Sequence, residues 1–456
     1  MKKTHFKVAV VGCGSIGLAS AYYLARNHGI HDIALIDSGQ PMAFTSAQSG
    51  ENYRNWWPHP SMVAFTNRSI DLLEDIARQT DNRINMNRRG YVLASRNDDI
   101  SELIGQLHEG LGDDASRLLR YHEDAQASQY ERPLHADWQG VRTGVDILRN
   151  QDLIRSVFPS YAEDIQSIIH IRRGGDISGQ QLGMVMLEYL KSVGARRVSG
   201  EVKAIRADAH FALEVNDEAS GTLQITADKL VNAAGPFAAE IADMLGQSLP
   251  VFNTFQQKIA FEDRAQAIPR DMPFSIDLDE QQIDWLPDER ELLLEEPDFA
   301  WLAETMPGAI HCRPDGGDNG SWIKLGWAYN DKSDTPSRDL PLDENFPEVV
   351  LHGAARLNPS LKAYYGQLPR NMHHYGGWYT MTDENWPLIG PMATEGAFMN
   401  CAMSGFGTMS ACAAGELCAA WVADAERPAY ARDFSLARRD DAALMQQLHA
   451  GSKGIL

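Results

Sequence analysis

Cysteine is scarce in this chain, which has five in 456 residues and no pair in a C-x-x-C spacing. The five are Cys13, Cys312, Cys401, Cys412 and Cys418. The start of the sequence also lacks the long apolar segment and the cleavage site of a secretory leader. These absences predict a cytoplasmic protein with neither a disulfide framework nor a bound metal.

Positive charge is also in short supply. Lysine and arginine number 41 against 62 aspartates and glutamates, which gives a formal net charge of −21. A surface with that balance repels phosphate backbones and anionic lipid headgroups. Nucleic acids and anionic membranes are therefore not expected as partners.

A long uninterrupted hydrophobic span is missing as well. Residues 397–422 come nearest, because Glu416 is their only charged residue and their length could cross a bilayer. The stretch is nevertheless interrupted by Gly405, Gly407 and Gly415, and no basic cluster flanks it. It predicts a strand, a glycine loop and a buried helix, and no transmembrane segment.

What the sequence does contain is a distinctive arrangement in its first forty residues. An apolar run at 7–11 predicts a strand, and the turn at 12–17 follows at once with the sequence Gly-Cys-Gly-Ser-Ile-Gly. Residues 18–26 have helical composition, and a second apolar run at 33–36 ends in Asp37. Strand, glycine turn, helix, strand and acid in this order are typical of dinucleotide binding.

If the turn binds a dinucleotide, each of its glycines has a structural role. Gly12 allows the tight turn, Gly14 lets the backbone approach a pyrophosphate, and Gly17 lets the helix pack close to the strand. Free N–H groups at the helix start attract phosphate. Asp37 stands where a carboxylate accepts a hydrogen bond from a ribose hydroxyl. The predicted contacts of this segment also include Ser15, Ile16 and Ser38.

The length of the chain predicts more than one domain. Helix and strand patterns alternate in three separated segments, whereas the residues between them are rich in strands, Pro, Asp, Glu and Trp. We therefore expect an α/β protein, α+β overall, with a Rossmann-like nucleotide domain and an inserted β-rich domain. The predicted nucleotide domain comprises 1–92, 150–250 and 371–456, and the predicted second domain comprises 93–149 and 251–370.

Four motifs, in this order and spacing, carry a resemblance to a known family. They are the glycine turn with Asp37, Leu-Val-Asn-Ala-Ala-Gly-Pro at 230–236, Trp-Ile-Lys-Leu-Gly-Trp at 322–327, and the segment 383–391 followed by Ser-Gly-Phe-Gly at 404–407. The chain resembles the D-amino-acid-oxidase-like FAD oxidoreductases, and most of all their sarcosine oxidase and N-methyltryptophan oxidase branch. The resemblance implies that FAD is the cofactor, and that the second domain binds the substrate.

The resemblance also implies which residues hold the FAD. Val202 is expected beside the adenine, and Ala234 and Gly235 beside the pyrophosphate. Two loops are expected at the isoalloxazine, and their residues are Ser46, Ser49, Gly50, Gly405, Phe406, Gly407, Thr408 and Met409. The family's covalent flavin cysteine falls at about Gly376 here, so the FAD is predicted to be non-covalent.

For catalysis, the resemblance points to Lys324 as a fixed cation that faces the flavin and activates oxygen. The alternative from the sequence alone is an exposed lysine on an alternating strand. Arg54 is expected near the substrate carboxylate, although a structural salt bridge is equally compatible with its position. Trp56, Trp378 and Tyr379 are expected to wall the substrate pocket, alongside Trp57.

The implied reaction oxidises the C–N bond of an amine or amino acid, secondary or N-methylated amines included. Hydride passes to flavin N5, the imine hydrolyses, and O2 reoxidises the enzyme with formation of H2O2. Three other interpretations stay open, namely a dehydrogenase that passes electrons to a quinone or protein, a non-catalytic flavoprotein assembly factor and an NAD-linked dehydrogenase. The family's second carboxylate-binding lysine is Met409 here, and its histidine after the lysine strand is about Ala328. The amine is therefore not identified.

Overall fold

The fold is described from a computed structural model that covers residues 4–217 and 221–450. The ends of the predicted domain division, 1–3 and 451–456, lie outside the described residues. The strands, numbered in chain order, are β1 (His5–Val11), β2 (Ile33–Asp37), β3 (Asn52–Arg54), β4 (Tyr91–Ser95), β5 (Leu119–His122), β6 (Val145–Leu148), β7 (Ser167–Ile171), β8 (Gly174–Asp176), β9 (Arg196–Ser199), β10 (Glu201–Ala207), β11 (Phe211–Asp217), β12 (Gly221–Asn232), β13 (Phe252–Glu262), β14 (Phe274–Asp277), β15 (Gln281–Gln282), β16 (Thr305–Met306), β17 (Ile310–Asp315), β18 (Trp322–Trp327), β19 (His373–Met381), β20 (Leu388–Pro391) and β21 (Ala397–Cys401).

The helices connect and cover these strands. They are α1 (Ser15–His28), α2 (Pro60–Gln79), α3 (Ser101–Leu111), α4 (Ala115–Leu118), α5 (Gln151–Val157), α6 (Gly179–Ser192), α7 (Ala238–Asp243), α8 (Pro287–Glu295), α9 (Phe346–Ala354), α10 (Gly407–Val422) and α11 (Ala442–Ala450).

The first sheet is built around β1, which pairs in parallel with β12 on one side and β2 on the other. The strand order is β10-β11-β12-β1-β2-β9, and β21 pairs with the end of β12. Val11, the last residue of β1, lies between Asn232 and Ile36, so the carboxyl ends of three strands meet at one edge. Ligands of open parallel sheets bind at such an edge. The predicted α/β, Rossmann-like class is confirmed.

Two apolar helices lie against this sheet and against each other. Most of α1 is buried, and α10 packs across it at a point where a Cβ on Gly415 would lie 2.5 Å from the carbonyl carbon of Ala19. Only glycine permits so close an approach. The interpretation of 397–422 as strand, loop and helix is thus confirmed, since β21 and α10 occupy it. Among the described residues, no helix has the length and apolar character needed to cross a membrane.

The second sheet has nine strands in the order β19-β13-β18-β17-β14-β4-β7-β6-β5. On one face of this sheet, helix α9 contributes buried residues to the hydrophobic core. Two strands of this sheet, β7 and β19, lie in segments that the sequence predicts for the nucleotide domain. They pair here with β4 and β13, so 167–171 and 373–381 belong to the β-rich sheet. The remaining domain bounds stay a prediction.

Candidate active site

The glycine turn after β1 is packed so tightly that side chains are excluded at two of its positions. Gly12 has a φ of +103°, and a Cβ there would lie 2.2 Å from the carbonyl oxygen of Ala233. A Cβ on Gly17 would lie 1.9 Å from the carbonyl oxygen of Gly12. These two glycines bring α1 against the sheet and line no cavity themselves, so they act by shaping the turn.

Polar groups around the turn match a nucleotide. The amide of Ser15, the first residue of α1, donates to the Ser46 hydroxyl at 2.9 Å. Asp37 ends β2, and its carboxylate accepts the amides of Cys13 at 2.7 Å and Gly39 at 2.8 Å. Donors at a helix start and an acid at the end of the second strand are the groups that a dinucleotide needs.

A cavity opens beside this turn, and we call it the turn cavity. Helix α10 contributes its first two residues to the wall, so the positive end of its dipole also faces the cavity. The Thr408 hydroxyl there donates to the Ser49 hydroxyl at 2.8 Å. Predicted cofactor residues that line it are Gly14, Ser15, Ile16, Ser46, Ser49, Gly50, Gly235, Gly405, Gly407 and Thr408. The glycine-lined wall and the donors together fit FAD.

Other predicted cofactor residues lie apart from the turn cavity. Val202 is buried in the core formed by β10 and its neighbours, and the Ala234 amide donates to the Asn232 side chain. Ser38 accepts a hydrogen bond from Arg338. Phe406 and Met409 line a second cavity instead. Residues 405–409 thus divide between the two cavities, and their spacing in the sequence does not show which cavity each residue lines.

The second cavity, the arginine cavity, encloses about 370 Å³ and adjoins the first. Aromatic and apolar side chains form much of its wall, namely Trp57, Tyr91, Phe252, Phe274, Met381, Phe406 and Met409. Its boundary with the turn cavity, the shared wall, consists of Ser49, Gly50, Lys258, Tyr379, Ser404, Gly405 and Thr408. These residues can therefore contact a molecule in either cavity.

Arg54 lines the arginine cavity and is only 1% exposed. Its guanidinium carbon lies 4.8 Å from the ring centre of Trp57, 4.9 Å from that of Tyr91 and 5.7 Å from that of Trp56. Burial lowers the pKa of Arg54. Trp56 supports the guanidinium without lining either cavity, whereas Trp57 lines the arginine cavity. Trp378 lines the turn cavity, and Tyr379 lines both.

Lys324, which the resemblance expects to face the flavin, lines neither cavity. Its Nζ is 2.8 Å from Glu51 Oε2 and 3.4 Å from Asp315 Oδ1. Arg313 joins the same group through Asp315 at 2.8 Å. The lysine is thus part of an ion-pair network behind the arginine cavity, of which only Glu51 reaches the cavity wall.

A different lysine, Lys258 on β13, lines both cavities, although none of the sequence motifs points to it. Its Nζ donates to the Tyr379 hydroxyl at 3.2 Å and lies 5.2 Å from the centre of that ring. The signal that singled out Lys324, a lysine inside an apolar strand, applies equally to Lys258 in residues 251–261. It could have been found by applying that argument to every strand.

The chain belongs to the family of FAD dependent oxidoreductases described as DAO, whose profile matches residues 7–421. The family resemblance inferred from the motifs is confirmed, and so is FAD as the cofactor.

The individual relatives have low sequence identity to this chain. Sarcosine oxidase subunit beta of Rhizobium meliloti (strain 1021) is 24% identical over 267 residues, which are 55% of this chain and 54% of that protein. The chain thus spans about half the length of this curated relative. Glycine oxidase from Geobacillus kaustophilus superposes with a TM-score of 0.69 at 17% identity, covering 95% of this chain and 99% of that one. L-proline dehydrogenase from P. horikoshii superposes with a TM-score of 0.70 at 15% identity, covering 96% of this chain and 98% of that one. These two likenesses establish the fold.

Proposed function

We propose that this chain uses FAD to oxidise the C–N bond of an amine or amino acid. The observation that carries the proposal is the shared wall, which sets an arginine-bearing, largely aromatic cavity directly beside the turn cavity. The named activities of the relatives support it, because sarcosine oxidase, glycine oxidase and L-proline dehydrogenase all act on amines or amino acids.

When bound, FAD supplies the two-electron acceptor for this chemistry. The chain's own residues bind and orient the donor. Arg54 offers a guanidinium to a carboxylate, and the rings around it exclude water. The donor loses two electrons and two protons to become an imine, which water hydrolyses to a carbonyl compound and an amine or ammonia.

Oxygen is the acceptor that we favour, and its reduction by two electrons and two protons gives H2O2. Cations near the turn cavity support this, because fixed positive charge stabilises the anion formed when oxygen takes its first electron. Lys258 lines that cavity, and Lys324 lies one ion pair behind the arginine cavity. The alternative is a dehydrogenase, as one structural neighbour is named.

We also propose that the FAD is held without a covalent bond. Gly376, at the position of the family's flavin-linked cysteine, has no side chain to form one. Cys401 does line the turn cavity, but burial raises the pKa of its thiol to about 12, so it stays protonated and unreactive at neutral pH. Acid precipitation should therefore leave the yellow cofactor in the supernatant.

An anaerobic panel of amines and amino acids tests the proposal through bleaching of the flavin absorbance. We expect at least one amino or imino acid to bleach the holoenzyme, and air to restore the colour with one H2O2 per turnover. Restoration only by a quinone would assign the dehydrogenase alternative. A yellow protein that no amine bleaches would instead be an assembly factor, and this proposal would be abandoned.

A further inference from the structure

Lys258 is a buried cation on β13. Lys258 is only 4% exposed, and its Nζ donates a hydrogen bond to the Tyr379 hydroxyl. In the parts of the chain that the structure covers, 4–217 and 221–450, no carboxylate lies within ion-pair distance of its Nζ. A buried ammonium is costly unless an anion offsets its charge. The position therefore calls for a negatively charged ligand.

Arg54 is the second cation of the arginine cavity, and it lies apart from Lys258. A row of rings separates them, because Arg54 packs on Tyr91, the Tyr91 and Phe274 rings are 4.4 Å apart, and those of Phe274 and His311 are 5.2 Å apart. Burial lowers the pKa of His311 to about 3, and the nearby Lys258 contributes to that shift. The imidazole is therefore neutral. His311 and Lys258 both pair with Gly326 of β18, so the row of uncharged rings runs from Arg54 to the strand position of Lys258.

The acidic side chains that line the cavity do not cancel the charge of Lys258. Glu51 is engaged by Lys324 at 2.8 Å and by the amide of Gly179 at 2.8 Å. Asp331 and Asp383 line the cavity but are exposed to solvent, which screens them. A single ligand carboxylate on Arg54, the contact proposed above, would leave the buried charge of Lys258 without an anion.

We infer that the donor is an amino or imino diacid, with one carboxylate on Arg54 and the other on Lys258. This inference rests on the proposed function and names the substrate class of the same site. A cavity of about 370 Å³ is large enough for a small amino or imino diacid. A second carboxylate offsets the charge of Lys258, which a monocarboxylic amino acid held at Arg54 would leave without an anion.

Calorimetric titration of the holoenzyme with two unreactive acids tests this. Glutarate and pentanoate have the same five-carbon chain and differ by one carboxylate, and neither has a C–N bond to oxidise. We expect glutarate to bind at least about tenfold more tightly, the scale of one charge-assisted contact. Equal affinities would overturn the inference.

Variants assign the second contact. Lys258→Met and Lys258→Gln should bind glutarate as weakly as pentanoate, whereas Lys258→Arg should retain most of the preference. Lys203→Met, which removes an exposed lysine paired with Glu201, is the matched control and should keep it fully. The flavin absorbance of each variant reports that it has folded and holds its cofactor. A glutarate preference that persists in both neutral variants would refute the role of Lys258.

The two proposals fail separately. If no amine bleaches the enzyme but glutarate is preferred through Lys258, the oxidase function is wrong, and the cavity still binds diacids. If monocarboxylic amino acids bleach it and glutarate has no advantage, only the diacid inference is wrong.

Discussion

The ammonium of Lys324 lies 2.8 Å from Glu51 Oε2, and this ion pair joins β18 of the second sheet to the loop that precedes β3. The other oxygen of Glu51 accepts the amide of Gly179, the first residue of α6. Glu51 also has a φ of +63°, a conformation that few residues other than glycine adopt. The pair therefore fixes a strained residue at the wall of the arginine cavity.

Replacement of Lys324 by Met tests the role that the family resemblance gives it. The predicted result is slower reoxidation by oxygen, by about a hundredfold if one preorganised charge is lost, with flavin reduction unchanged. Stopped-flow measurement of the two half-reactions separates these steps. Glu51→Gln is the companion variant, because it removes the ion pair and keeps the lysine. Equal losses in both half-reactions for both variants would show that the pair acts by holding the loop.

The glycine turn yields a prediction that separates packing from cofactor binding. Gly17→Ala puts a Cβ 1.9 Å from a backbone oxygen that cannot move, so the free energy of unfolding of the apoprotein should fall by about 1–3 kcal/mol or more. Gly14→Ala meets only the Ser46 hydroxyl at 2.9 Å. It should leave apoprotein stability nearly unchanged and weaken FAD binding.

Urea unfolding of the apoproteins and fluorescence titration with FAD provide the two measurements. Gly105→Ala is the control, since Gly105 is exposed on α3 and a Cβ there would meet nothing within 4 Å. It should stabilise the protein by roughly 0.5–1 kcal/mol, as expected for glycine in a helix. Similar apoprotein destabilisation by Gly14→Ala and Gly17→Ala would contradict the proposed division of roles.

The parts of the site that the sequence predicted are local. A tight turn, the helix that follows it and Asp37 lie within forty residues, and their spacing alone sets their geometry. The start of α6 is local in the same way, because the side chain of Ser178, the residue before the helix, accepts the amide of Gln181.

What the sequence could not supply depends on pairing between distant strands. Lys258 and Lys324 both sit in apolar strands, and the register that sets Lys258 opposite Gly326 and Tyr375 decides which of them reaches the cavities. The placement of β7 and β19 in the second sheet has the same origin, because either strand could have joined the first sheet on composition alone. Such long-range registers are fixed by the packed core.

Stability should depend on pH through His170, which is fully buried on β7. Its ring contacts the Tyr130 hydroxyl and the Arg89 carbonyl oxygen, both at 2.9 Å, and burial holds its pKa well below the usual value. Below about pH 6.5, His170 is therefore protonated in the unfolded chain but stays neutral in the native state. The free energy of unfolding should decrease there, with a slope from this group of at most about 1.4 kcal/mol per pH unit.

Urea unfolding between pH 7 and pH 5 measures that slope. His170→Gln keeps a donor and an acceptor but cannot take up the proton, so its slope should be shallower than that of the wild type. His108→Gln, on the exposed side of α3, should leave the slope unchanged. Identical slopes for all three proteins would mean that His170 is not the group responsible.

Replacement of Arg54 distinguishes a binding residue from a structural one. Burial already disfavours its charge, as the lowered pKa shows, and removal of a buried charge is often neutral or stabilising when an apolar group of similar size takes its place. For Arg54→Met we therefore expect an unfolding free energy of the apoprotein that is unchanged or higher, within about 1 kcal/mol. The affinity for pentanoate and glutarate should fall about tenfold or more, since a charge-assisted bidentate contact is lost.

Arg54→Lys should behave like Arg54→Met in binding, although it keeps the charge. A lysine cannot spread a planar group over the rings of Trp57 and Tyr91, and it cannot hold a carboxylate with two parallel hydrogen bonds. Arg206→Lys, at an exposed position of β10, should change neither the unfolding free energy of the apoprotein nor the affinity for the two carboxylic acids. A large loss of apoprotein stability in Arg54→Met, with carboxylate affinity intact, would identify Arg54 as a structural cation and would remove the main support for a carboxylate-bearing donor.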